Sequence, residues 1–121
     1  MLAKPKITTL ERAAVLKQAK MEMLSCLGYY KVAGAYDNMS AVTNLAGQDF
    51  HFTVAEQLDL DLYRAWVMLS RGRQEEAELK AKRVLEMAKE RKLKDRKGRA
   101  SKILSTISDL RTGTTAFGEP A

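Results

Sequence analysis

Three features of the sequence point to an all-α fold. Pro occurs only as Pro5 and Pro120, so no ring interrupts a helix between them. Ala, Leu, Lys, Glu, Arg and Met fill the middle of the chain, all strong helix formers. Apolar residues recur at helical spacing, whereas β-branched runs and Asn-Gly or Asp-Gly hairpin signals are missing. With 121 residues there is length for one modest core. We therefore expect a small single-domain bundle of about four helices over residues 9–110, with a long basic helix in its second half. A flexible N-terminus at 1–8 and a disordered tail at 111–121 would flank it, the tail being rich in Gly, Thr and small residues.

Thr8-Thr9-Leu10-Glu11 is a capping box, in which a Thr hydroxyl and a Glu carboxylate satisfy each other's backbone amides, so a helix starts near Thr9. Its apolar positions Leu10, Ala13, Ala14, Leu16, Met23, Leu24 and Leu27 keep the helical period, and Gly28 is the expected break. A second helix runs from about Tyr30 to Leu45 and closes at Ala46-Gly47, where Gly can take the left-handed conformation. After the loop QDFHF, Thr53-Val54-Ala55-Glu56 forms another capping box and starts a third helix near Val54.

The stretch from Thr53 to Arg73, TVAEQLDLDLYRAWVMLSRGR, supports two readings. As a helix-turn-helix it turns at Asp59, buries Leu60, and presents Leu62 to Ser70 as a recognition helix on which Arg64 is the natural donor to guanine. Against this, Asp59 and Asp61 stand where phosphates would approach. As one helix it carries Leu58, Leu62, Ala65 and Leu69 on a stripe widened by Trp66. That helix passes through Gly72, which permits a kink without forcing a break, toward Leu93 by way of Ala77, Leu79, Ala81, Val84, Leu85 and Ala88. Gly98 then separates a last helix, roughly Ala100 to Leu110, striped by Ile103, Leu104, Ile107 and Leu110.

Charge is unevenly placed. Residues 1–70 carry seven Lys or Arg against seven Asp or Glu, residues 71–102 thirteen against six, and residues 103–121 one against two. The segment Arg71 to Lys102 therefore holds the whole excess behind the net charge of +6. Such a segment attracts polyanions over about a Debye length, and a nucleic-acid backbone is the commonest of them. The candidate contacts are Arg64, Arg71, Arg73, Lys80, Lys82, Arg83, Lys89, Arg91, Lys92, Lys94, Arg96, Lys97 and Arg99. The competing account is a solvated helix face laced by pairs such as Glu78 with Lys82.

Other chemistry finds little footing. Cys26 is the single cysteine and His51 the single histidine, so neither an intramolecular disulfide nor a His-pair zinc site is expected. His51 near Asp49 has no nucleophile beside it, and the expectation is a non-enzymatic protein without metal or cofactor. Tyr29, Tyr30, Tyr36, Tyr63 and Trp66 fall at helical spacing and read as core or boundary residues rather than base-stacking platforms. No secretion-type apolar run opens the chain and about 18 consecutive apolar residues occur nowhere, so a cytoplasmic, membrane-free protein is expected.

The run Leu27-Gly-Tyr-Tyr-Lys-Val-Ala-Gly-Ala-Tyr-Asp37 resembles the LxLxGMAxAxxE pattern that opens the N-terminal helical domain of insertion-sequence transposition helper ATPases. There, after a loop, comes a helix of the form FxERLxLLxxxExxxRxxR, which Phe52, Glu56, Gln57, Leu58, Leu60, Leu62, Arg71 and Arg73 resemble. The two pieces cover about half the chain, with Lys31 in place of the pattern's Gly and Val32 in place of its Met. No Gly-Lys dipeptide occurs, so the phosphate-binding loop of those ATPases is missing. The resemblance implies only the domain that contacts DNA and partner proteins, without the motor. Two functions are therefore expected: binding of DNA or another nucleic acid as a mobile-element nucleoprotein accessory, or a helical protein-interaction module. The module would be a phage or mobile-element inhibitor or an oligomeric structural subunit, forming a homo-oligomer or meeting an acidic protein with its basic face.

Overall fold

The computed structural model describes residues 8–113, which form five helices: α1 (Thr9–Ala33), α2 (Tyr36–Asp49), α3 (Val54–Ser70), α4 (Gln74–Glu90) and α5 (Lys94–Arg111). Both capping boxes form. The Thr8 hydroxyl accepts from the Glu11 amide and the Thr53 hydroxyl from the Glu56 amide, with each Glu carboxylate bonded back to the Thr amide. Thr8 thus belongs to the folded unit. The expected termini at 1–7 and 114–121 lie outside the described residues, and Arg111 is the last residue of α5.

Several boundaries depart from the sequence expectation. α1 runs through Gly28 and stops at Gly34, and α2 continues past Ala46-Gly47 to Asp49. The expected long helix is two helices, α3 and α4, broken at Arg71–Arg73 and ending, near the expected Leu93, at Glu90, while Gly98 sits inside α5. One closing motif ends α1, α3 and α4. Gly34, Gly72 and Lys92 all have positive φ (71°, 77° and 58°). Each next amide reaches back five residues: Ala35 to the Tyr30 carbonyl, Arg73 to Met68 and Leu93 to Ala88, at 2.8–2.9 Å. This double-bonded left-handed stop satisfies carbonyls that a helix end would leave open. At Lys92 no Gly advertises it, and a left-handed non-Gly residue costs about 1–2 kcal/mol. The packing of Leu93 against the α3–α4–α5 core opposes that cost.

α3 is the axis of the molecule. It is one unbroken helix, so there is no turn at Asp59 and the helix-turn-helix reading of this stretch is overturned. Leu58, Leu62, Ala65 and Leu69 are buried with Ala77, Ala81, Val84 and Ala88 of α4 and Ala100, Ile103 and Ile107 of α5. Leu60 and Val67 are buried with Leu27 of α1 and Met39 and Ala46 of α2. At ~100° per residue the two sets point about 180° apart, so α3 is a central layer between a helix pair on each side. Small residues line α4 where it meets its neighbours (Ala77, Ala81 and Ala88 are fully buried), which lets the helices approach closely. Trp66, half-buried, packs against both clusters.

The long α1 is only partly used. Of the apolar positions that define its period only Leu27 is fully buried, and Leu10 is 84% exposed. Lys20 ties α1 to the first turn of α3 and the loop before it, donating to the Glu56 carboxylate at 2.7 Å and the His51 carbonyl at 3.2 Å, with Phe52 beneath its ammonium. Burial pushes the Glu56 carboxyl up, but the Lys20 and Thr53 hydrogen bonds outweigh it and hold the group below its usual value.

Two substitutions with opposite signs test these boundaries. Gly72→Ala places a Cβ at positive φ and should lower stability by about 1 kcal/mol, whereas a continuous helix would gain about that much. Gly98→Ala, inside α5 with nothing within 4 Å of the added carbon, should raise stability by about 1 kcal/mol. Urea midpoints at constant slope measure both, and equal signs would contradict the boundaries.

Candidate nucleic-acid interface

The thirteen candidate cations separate by what they touch. Arg96 and Arg99 of α5 belong to the seam between α5 and α3. Arg96 Nε and Nη2 donate to the two Asp59 oxygens at 3.0 and 2.9 Å, and Arg99 Nη1 adds a third bond at 2.8 Å. Tyr63, one turn beyond Asp59, lies under the Arg99 guanidinium at 5.4 Å. The Asp59 hydrogen bond raises the Arg96 pKa against the opposing effect of burial. These two arginines are committed to holding α5 on α3.

Arg64, Arg71, Arg73 and Lys80 converge on a groove between α2, α3 and α4. Arg64 is half-buried, its Nη2 donating to the Thr43 carbonyl at 3.1 Å and its Nη1 lying 3.5 Å from Asp61, so it is engaged inside the fold. Lys80 approaches the same Asp61 oxygen at 3.8 Å. Arg71 meets Asp37 at 3.5 Å and Arg73 meets Glu76 at 3.9 Å. Lys82 pairs with Glu78 within α4, and Glu78 also accepts from Arg111 of α5. The Arg111 hydrogen bond, the largest influence on it, keeps the Glu78 carboxyl below its usual value.

Arg83, Lys89, Arg91, Lys92, Lys94 and Lys97 are exposed and take part in no ion pair among the described residues. Five of them fall between positions 89 and 97, at the turn joining α4 to α5. Within that span Asp95 faces Arg99 at 3.6 Å, and Glu90 alone is an unpaired carboxylate. Local sequence explains the cluster: the left-handed stop at Lys92 folds the end of α4 against the start of α5, so cations distributed along a chain become cations at one end of a hairpin. α5 also opens at Leu93 without a side-chain cap, which leaves first-turn amides toward that end.

The sequence reading did not assign Asp59 and Asp61 as acceptors within the protein. Their alternation with three leucines in Leu58-Asp59-Leu60-Asp61-Leu62 is the available signal, since on a helix buried on two opposite faces the intervening residues project sideways into the seams. The aromatic expectation holds for Tyr30, Tyr36, Tyr63 and Trp66, all half-buried against the α1–α2–α3 cluster, but Tyr29 is 77% exposed. Lys31 lies over the Trp66 ring at 4.2 Å, with burial the first cause lowering its pKa and Lys102 the second. His51 is exposed, and the Asp49 side chain lies outside those described.

No protein-family model, curated protein or solved structure matches the chain. Among the described residues no His, Cys, Asp or Glu group is arranged to hold a metal ion, and no helix is long and apolar enough to cross a membrane.

Replacing Asp59 by Asn removes the shared charge of the α3–α5 seam. It should cost on the order of 1–3 kcal/mol, the range for a hydrogen bond to a charged partner or for leaving one unmade. A loss under about 0.5 kcal/mol in a urea titration would mean that Arg96 and Arg99 are held by solvent instead.

Proposed function

We propose that this chain is a non-enzymatic nucleic-acid-binding protein that grips the phosphate backbone with the turn between α4 and α5. The observation that carries the reading is the set of five exposed cations, Lys89, Arg91, Lys92, Lys94 and Lys97, with no ion pair among the described residues, against one unpaired carboxylate, Glu90, between positions 89 and 97. Unpaired surface cations crowded at one end of a fold repel one another, and a polyanion relieves that repulsion while releasing its own counterions. The uncapped α5 N-terminus adds partial positive charge at the same place.

The burial of α3 on two faces argues against a groove-reading helix, so the proposed contact is to backbone and carries little sequence preference. The resemblance of Leu27–Asp37 and of the Phe52–Arg73 segment to the helical domain of transposition helpers supports placing such binding in a nucleoprotein accessory role. A second reading, a protein-interaction module, is favoured by α1, where Leu10, Val15, Leu16 and Met21 are exposed along a helix whose first turns are scarcely packed. A homo-oligomer or a helical partner would cover them.

Affinity for a duplex and for a single strand should fall linearly with salt on logarithmic axes, with a slope of about −0.9 per neutralised phosphate on duplex and about −0.7 on single strand. Changing Lys92, Lys94 and Lys97 together to Gln should flatten the duplex slope by about 2–3 and leave the circular dichroism spectrum intact. Gln at Arg96 and Arg99 should instead lower stability with little change in slope. Absence of binding to either form at about 50 mM salt, where such contacts are strong, would sink the proposal.

A further inference from the structure

Two of the cation groups are spent or exposed, but the set around α2, α3 and α4 lines a concavity. α2 and α4 each pack on α3 and do not approach each other, which leaves a groove of about 500 Å³ with α3 as its floor. Arg64 and Lys80 lie along it, Arg71 and Arg73 stand at the end where α3 turns into α4, and Val67 and Met68 supply apolar surface between them. Ser40 and Asn44 of α2 form the polar side.

Its electrostatics are incompletely balanced. Arg64 and Lys80 share one carboxylate, Asp61, at 3.5 and 3.8 Å, too far for a well-made charged hydrogen bond. The partners of Arg71 and Arg73 are weaker still: the Asp37 side chain is 97% exposed and Glu76 is 3.9 Å away. Exposed pairs of this kind contribute about 0–1 kcal/mol, so an incoming carboxylate can replace them. Two arginine forks at the groove's end suit planar, two-pronged acceptors.

We propose that this groove binds a short, extended, acidic peptide segment of a partner protein, with an apolar side chain of the peptide set on Met68 between carboxylates held near Arg64–Lys80 and near Arg71–Arg73. Spacing supports the register. Arg64 and Arg71 are seven residues apart on α3, about 10 Å at 1.5 Å per residue, which an extended strand covers in about three residues at 3.3 Å each. A nucleic-acid strand fits the groove poorly, because no aromatic ring lines it to stack a base. The inference does not rest on the nucleic-acid reading, since its residues are different from those at the α4–α5 turn.

The probe is a short fluorescein-labelled peptide of glutamates around a central leucine, with its glutamine counterpart and a single-stranded oligonucleotide as controls, followed by anisotropy at low salt. The glutamate peptide should bind and the glutamine peptide should not. Changing Arg71 and Arg73 to Gln should weaken the glutamate peptide by about tenfold or more, and both are exposed enough for the protein to stay folded. Changing Lys92, Lys94 and Lys97 to Gln should leave peptide affinity unchanged while reducing oligonucleotide affinity. In the amide spectrum of the wild-type protein, peptide addition should shift Asn44 and Met68. The proposal is overturned by absence of peptide binding, by an Arg71/Arg73 variant that binds the peptide as the wild type does, or by equal loss of peptide and oligonucleotide in the turn variant. If oligonucleotide binding fails while the peptide result holds, the nucleic-acid reading falls and the groove stands.

Discussion

Everything in this fold depends on α3 burying two opposite faces at once. One helix face of Leu58, Leu62, Ala65 and Leu69 seats the α4–α5 hairpin, and the reverse face of Leu60 and Val67 seats α1 and α2. Each fully buried leucine contributes about 1.5–3 kcal/mol relative to exposure, and both helix pairs bury core residues against α3. The two groups of helices are joined mainly through α3, since no Cα of α1 or α2 comes within 8 Å of one in α4 or α5.

A helix apolar on two opposite faces has two lateral edges, and those edges set where charge can go. On one edge Asp59 and Tyr63 receive Arg96 and Arg99 of α5, while Trp66 receives Lys31 of α1. On the other, Asp61 and Arg64 meet Lys80 of α4 and the Thr43 carbonyl of α2. Cations that reach these edges are structural or line the groove. Cations that cannot reach them, at the α4–α5 turn, stay in water and unpaired. Which cations are paired and which stay in water therefore follows from their place in the fold, not from residue type.

Where local chemistry decides, the sequence was readable. The capping boxes at Thr8 and Thr53 act between residues three apart, and the stripe of Leu58, Leu62, Ala65 and Leu69 repeats within one helix. The stops were harder. Gly28 has the residue type of a break but sits in an intact helix, whereas Lys92, a non-Gly residue, makes a left-handed stop beside the packed Leu93. The charge step at Arg71 is visible as a sum, yet its division is not: Asp59 and Arg96 are 37 residues apart, and only folding the hairpin onto α3 brings them together. For the same reason the groove, built from three helices, had no sequence signature beyond its separate cations.

Amide hydrogen exchange under native conditions tests the central role of α3 most directly. If both helix pairs depend on it, the amides from Leu60 to Val67 should exchange only through global unfolding, with the largest protection in the molecule. The amides of α1 from Ala13 to Gln18, on an overhanging and exposed segment, should exchange orders of magnitude faster. Exchange of Leu60–Val67 through a local opening while α4 and α5 stay protected would contradict the account, because it would show that the hairpin stands without the helix said to hold it.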